Sequence, residues 1–402
     1  MVNNLISFKK LENRFPYIFL FIISVSLLSA LVLIYRYYHH SFFIEASDLG
    51  QFLSGAQIIN SGEGSLLYDL NTQLNYQNKL TFPLIRSGVL PYRSLPFVSL
   101  IYIPFIGTNY YSSYYAFLIF NIILLIIFAY LVSSFLFKGN HFFFILFLCF
   151  SYIPFTQMLF GGQVSMFMVF SLFLTYLFLK KDHIVVSGAF AALLLIKPQY
   201  VIFVPFIFLY TSKKLHFAFG FFMSCVVLFL ISVYMSGLDA VLYYPHYIFL
   251  TEEIIYYSKP ASLVTLQHSL NLLLGNKNYV FILNSVLVLL VYLMVWISRK
   301  KLNIEELFVI ASVFTLLLSL HAYSYDLMLW LFPSLLLLKL NYLPSTKPSF
   351  SSLIKFNKTT LLFLFIYMFA VFWMALPTFS ILFTSIFFSY LLLSGKNHAI
   401  SL

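Results

Sequence analysis

SFFIEASDLGQFLSGAQIINSGEGSLLYD, residues 41–69, holds four of the twelve acidic residues in this 402-residue chain: Glu45, Asp48, Glu63 and Asp69. It follows closely on an apolar run from Pro16 to Ile34. A helix crossing a hydrocarbon core of roughly 30 Å needs about 20 apolar residues, so this acidic stretch stands just beyond a membrane span. Working outward, hydrophobic residues make up 62% of the chain and charged residues 9%, where a soluble domain carries about 25% charge. The fold class implied is an all-α polytopic membrane protein, a single integral domain over residues 1–402 with no room for a separate soluble unit. Cys149 and Cys225 lie inside apolar runs and predict no disulfide framework.

A net charge of +11 would suggest nucleic acid in a soluble protein. Here Lys and Arg fall in small clusters between apolar runs, and cytoplasmic loops of membrane proteins accumulate these residues. Lys9, Lys10 and Arg14, then Lys138, Lys180 and Lys181, Lys213 and Lys214, Arg299 to Lys301, Lys339 to Lys358, and Lys396 are read as facing inside, and one threading satisfies them all. It predicts about twelve crossings. These run over residues 16–34, 111–137, 141–155, 164–179, 184–196, 200–210, 215–235, 280–298, 306–320, 327–338, 361–376 and 379–393. The run 95–105, broken by Pro96 and Pro104, is short for a crossing and reads as re-entrant. Residues 36–93 form a first extracytoplasmic loop, in which FLSGAQIIN and LNTQLNYQNKL mix apolar and amide residues at helical spacing, as in amphipathic helices lying on a membrane surface. Residues 236–278 form a second.

The threading sorts the carboxylates. Glu45, Asp48, Glu63, Asp69, Asp239, Glu252, Glu253 and Asp326 lie outside or at the outer membrane face. Glu12, Asp182, Glu305 and Glu306 each stand beside an inside basic cluster. Asp48 is either the N-cap of a helix beginning LGQFLSGAQII or a catalytic base, and the two roles are compatible. Tyr68 and Asp69 are read as a turn or anchor, with a sugar or acceptor contact as the alternative. Lys197 sits at the tip of an apolar hairpin, where an ammonium must snorkel to water or meet an anion. Gly161-Gly162-Gln163 is a turn or a place of close ligand approach, Gln267-His268-Ser269 a helix cap or a contact, and His321 to Asp326 a structural turn at a span junction. No metal spacing such as HExxH and no phosphate-binding P-loop occurs.

In this order the pieces resemble the GT-C superfamily, and most closely glycosyltransferase family 87. The resemblance runs from Asp48 to Pro333. It rests on D-x3-F-x3-A-x5-G-x5-YD (Asp48, Phe52, Ala56, Gly62, Tyr68, Asp69), on Pro91-Tyr92 and Pro96, on the GGQ turn, and on SGAFAALLLIKPQYVIF with Lys197-Pro198. Two departures occur: a motif like Asn-Gln-Ser-Leu reads Gln267-His268-Ser269-Leu270, and the basic residue after it is represented by Lys277. The resemblance implies transfer of a sugar, mannose or another hexose, from a polyprenyl-phosphate donor to a glycan or lipid-linked acceptor, without cofactor or metal. It implies Asp48 as base, Lys197 and Arg93 as phosphate contacts, and Gln163, His268, Tyr68 and Asp69 as sugar or acceptor contacts. A bacterial inner membrane with its active face toward the periplasm is the expected setting. The rival readings are a polysaccharide polymerase or ligase acting on lipid-linked glycans, and a non-enzymatic transporter or flippase.

Overall fold

Where a chain this apolar leaves water, each backbone N–H and C=O must find its partner within the segment, which favours helices. The computed structural model describes residues 20–36 and 47–341, except 22, 108, 140, 259–262 and 276. Among them there is no strand, and one isolated antiparallel bridge joins Leu263 to Tyr323. The helices are α1 (Ile23–Arg36), α2 (Leu49–Asn60), α3 (Leu70–Thr81), α4 (Tyr110–Phe137), α5 (Phe142–Ser151), α6 (Ile153–Gly161), α7 (Ser165–Lys180) and α8 (Ile184–Ala191). They continue as α9 (Phe203–Tyr210), α10 (Lys214–Ser236), α11 (Leu238–Ser258), α12 (Leu266–Leu274), α13 (Lys277–Ser298), α14 (Ile304–Leu317) and α15 (Leu331–Asn341). The expected spans 361–376 and 379–393, the N-terminal basic cluster, Glu45, Lys259, Lys396 and the side chains of Glu252, Glu253 and Lys277 lie outside the described residues.

Among the described residues, three helices are long and apolar enough to cross a membrane: α4, α10 and residues Asn278–Ser298 of α13. A fourth crossing results if α5 and α6, bent by 65°, count as one broken span. The remaining apolar segments are shorter. The expected straight span over 141–155 is broken at Tyr152, because Pro154 in the first turn of α6 has no N–H to continue α5 and starts a new helix instead. As a result residues 156–161, which fall between the expected spans 141–155 and 164–179, are helical. The run 95–105 forms two 3-10 turns, Pro96–Ile101 and Ile103–Phe105. α14 is buried on nearly every face, as a helix apolar all round must be, and Trp330 behind it donates from Nε1 to Ser312 O at 3.1 Å. α8 and α10 cross with backbones touching: a Cβ on Gly220 would lie 1.9 Å from Val185 O, and one on Gly188 2.2 Å from Phe217 O.

The two helices read as amphipathic each bury one face against the rest of the protein. α2 buries Leu49, Gly50, Phe52, Leu53, Ser54, Gly55, Ala56 and Ile58, and α3 turns its glutamines inward. Their amides satisfy backbone that no regular element covers. Gln73 Nε2 donates to Leu67 O at 2.7 Å while its Oε1 accepts from Tyr92 N at 2.9 Å. Gln77 does the same for Leu90, whose O and N lie 2.7 and 3.0 Å away. A buried backbone group without a partner costs about 1–3 kcal/mol. Gln73→Leu, which orphans two such groups, is therefore expected to lower stability by about 2 kcal/mol or more. Thermal unfolding in detergent measures this, and an unchanged midpoint would remove these amides from the account of the loop.

The basic clusters converge. Glu305 Oε1 accepts from Lys339 Nζ at 2.6 Å, Tyr176 OH at 2.8 Å and Lys180 Nζ at 3.1 Å. Lys213 pairs with Asp182, and the Trp296 ring carries Lys214 and Arg299 at 4.7 and 3.5 Å. Clusters far apart in sequence thus share one end of the bundle. α7 has 16 residues, a length of about 24 Å. Its Lys180 terminus belongs to that basic end and its Ser165 terminus to the site described next.

Candidate active site

Asp48 stands at the start of α2 in helical backbone conformation, φ −66°, ψ −12°, and its side chain makes no cap bond. The carboxylate turns elsewhere: Oδ2 accepts from Gln163 Nε2 at 2.7 Å. An ionised carboxylate can only accept, so the amide must present its NH2 group. Gln163 is 2% exposed, and its Oε1 is buried with no partner among the described residues. The amide is thus committed to holding Asp48.

Gly162 makes that contact possible. α6 ends there at φ +66°, a conformation open to glycine at little cost, and a Cβ would lie 2.4 Å from Leu49 Cβ, one residue past Asp48. Tyr102 OH donates to Gly162 O at 3.0 Å and fixes the turn from the far side. Gly162→Ala is expected to cost about 2 kcal/mol or more through strain and collision and to push Gln163 off Asp48. Gly161→Ala is the control, because the nearest atom to a Cβ there is Gln163 Cγ at 3.4 Å. Equal melting temperatures and activities for the two variants would refute the argument.

Two residues after Gln163, Ser165 Oγ donates to Asp326 Oδ1 at 3.3 Å. Lys197 Nζ donates to the same oxygen at 2.5 Å, and Asp326 Oδ2 accepts from Tyr323 N at 3.0 Å. The Lys197 and Asp326 side chains are 11% and 2% exposed, a buried pair with both carboxylate oxygens satisfied. Lys197 separates two 3-10 turns, Ala192–Ile196 and Pro198–Ile202, in extended conformation, φ −130°, ψ 93°, because Pro198 disfavours a helical residue before it. Its ammonium lies 4.7 Å from the Tyr325 ring centre. Burial first, then the charges of Asp48 and Asp326, raise the Tyr325 phenol well above its ordinary pKa, so Tyr325 feels both carboxylates. The turn 162–165 therefore joins Asp48 on one side to the Lys197–Asp326 pair on the other.

Asp326 is the residue that sequence reasoning missed, having been read as part of a structural turn. The signal was present: a lysine between two apolar segments calls for a counter-charge, and the threading brings Asp326 to the same face. His268 is buried near His321, and burial followed by that neighbour's charge lowers its pKa, so its imidazole is neutral at pH 7. Thr265 caps α12 through His268 N at 3.2 Å, and Val264 N donates to Ala322 O at 2.8 Å, tying this segment to the Asp326 turn.

The other candidates lie apart from this chain of contacts. Arg93 rests on α11, with Nη2 3.4 Å from Ile248 O and its own carbonyl accepting from Tyr244 OH at 3.3 Å. Tyr68 OH donates to Ser94 O at 2.9 Å, and its ring packs among Tyr92, Tyr244 and Tyr247. Asp69 caps α3, accepting from Thr72 N and Thr72 Oγ1 at 2.7 Å each. Tyr68 and Asp69 thus hold the segment that follows α2.

A search of curated proteins finds no match, and a search of solved structures finds none. The model of one protein family, described as glycosyltransferase family 87, matches residues 95–320. That stretch includes Gln163, Ser165, Lys197 and His268. It begins after Asp48 and ends before Asp326, two residues that the fold returns to the same site. More than half of the chain is matched, and its helices are those of a membrane protein: the chain belongs to glycosyltransferase family 87.

Proposed function

We propose that this membrane glycosyltransferase moves a hexose, such as mannose, from a polyprenyl-phosphate sugar to a hydroxyl of a glycan or lipid-linked acceptor by inverting single displacement. The observation carrying this reading is a carboxylate and an ammonium set on either side of one buried turn, Asp48 held by Gln163 and Lys197 held by Asp326. In a phosphate-linked donor the leaving group is a weak base, so its departure needs a cation more than an acid. The acceptor oxygen attacks the anomeric carbon, and the bond from that carbon to the phosphate oxygen breaks with its electron pair leaving on phosphate. Asp48 takes the hydroxyl proton. Lys197 meets the charge that develops on the polyprenyl phosphate. Gln163 orients the base, His268 contacts sugar or acceptor as a neutral group, and Arg93 is a second cation for the donor headgroup.

The charge pattern supports the orientation in the proposed setting. The basic end faces the cytoplasm and the Asp48 end faces outward, toward the periplasm of a bacterial inner membrane, in a bundle of about twelve crossings. Residues 36–93 and 236–278 are read as its two extracytoplasmic loops. The test is transfer by membranes carrying the protein, using radiolabelled polyprenyl-phosphate hexoses beside nucleotide sugars. Transfer from a lipid donor with inverted anomeric configuration in the product is the expected result. Transfer from nucleotide sugars alone, or retention of configuration, would overturn the reading.

A further inference from the structure

We propose that Asp326 is a positioning residue that sets how tightly Lys197 holds phosphate, and that it speeds release of the polyprenyl phosphate product; this rests on the donor chemistry proposed above. An ammonium has three N–H donors. One is directed at Asp326 Oδ1, and the ring of Tyr325 lies beside the group at 4.7 Å, so the remaining donors are available to an incoming oxyanion. Asp326 cannot easily withdraw. Ser165 Oγ and Tyr323 N hold its two oxygens from elements other than the hairpin of Lys197. A phosphate bound to Lys197 therefore meets the ammonium and, just behind it, a fixed negative charge.

That charge acts unequally on substrate and product. The donor is a phosphodiester with one negative charge, whereas the product is a phosphomonoester carrying about −1.5 to −2 at neutral pH. A bare lysine would attract the product more strongly than the donor, and the enzyme would stall on what it releases. The Asp326 carboxylate weakens the product's hold more than the donor's, since its repulsion scales with ligand charge. It also keeps the ammonium aimed into the site instead of toward water.

The experiment is inhibition of transfer by added polyprenyl monophosphate, measured with the donor KM and kcat in wild type, Asp326→Asn, Asp326→Glu and Lys197→Met. For Asp326→Asn the expected result is inhibition stronger by about ten-fold, with kcat reduced and donor KM no higher than in wild type. Asp326→Glu, which keeps the charge, should return inhibition to within about two-fold of wild type. A purely structural role would lower kcat without strengthening inhibition, and that outcome overturns the proposal. If the Asn variant fails to accumulate, Asp326→Glu decides alone: wild-type-like inhibition supports the charge argument, and ten-fold stronger inhibition refutes it. Failure of the underlying reading looks different, because then Lys197→Met would transfer from the lipid donor with unchanged KM and kcat.

Discussion

Asp48→Asn is expected to lower sugar transfer by about 10³-fold while the protein accumulates and melts as the wild type does. The two halves of this expectation have separate physical sources. Asparagine keeps the shape of the side chain and an oxygen able to accept from Gln163 Nε2, now at 2.7 Å from Asp48 Oδ2, so the turn 162–165 stays seated. It cannot take a proton from an acceptor hydroxyl. A general base contributes about 10²–10⁴ in rate, and with the proposed phosphate leaving group no other carboxylate is asked to act as an acid. Initial rates in membranes matched for protein level, with melting in detergent beside them, read both halves. Transfer within about three-fold of wild type would exclude Asp48 as the base. A collapse in melting temperature would instead show its role to be structural.

Lys197→Met carries the second large effect. The Asp326 side chain is 2% exposed, and deleting the ammonium leaves a buried carboxylate without its cation. Breaking a buried pair from one side costs about 3 kcal/mol or more. Replacing both members, as in Lys197→Met with Asp326→Asn, is expected to recover most of that stability, since neither buried charge then remains. On the proposed mechanism it should not recover transfer, because the cation proposed for the leaving phosphate is still missing. A double variant that melts like the wild type yet remains inactive separates the fold role of the pair from its chemical role. Recovery of transfer along with stability would mean that Lys197 serves only to neutralise Asp326.

Much of this was legible in the residues themselves. Composition is an average over the chain and needs no pairing to be read, so the membrane class followed from the scarcity of charge. The sorting of basic clusters to one end rests on an equally simple rule, and Lys180, Lys213, Lys214, Arg299 and Lys339 do gather at the foot of α7. Periodicity gives α3 as an amphipathic helix but not what its glutamine face meets. A spacing that places glutamines on one face looks like a solvated face, whereas Gln73 and Gln77 are buried because the backbone from Leu67 to Tyr92 needs their amides more than water does. Proline also acted further than expected, breaking the span before Gly162 and shortening the loop that carries Gln163.

Read residue by residue, the chain is helical and lodged in a bilayer, with Asp48 and Lys197 as candidates for a base and a phosphate contact. Hydropathy and charge act residue by residue, and a hydrocarbon solvent enforces them wherever they occur. Tertiary structure alone decided which groups meet. Asp48 finds Gln163 across 115 residues and Lys197 finds Asp326 across 129. Such pairings depend on how helices pack and where a single glycine lets two turns touch, and no local pattern encodes that.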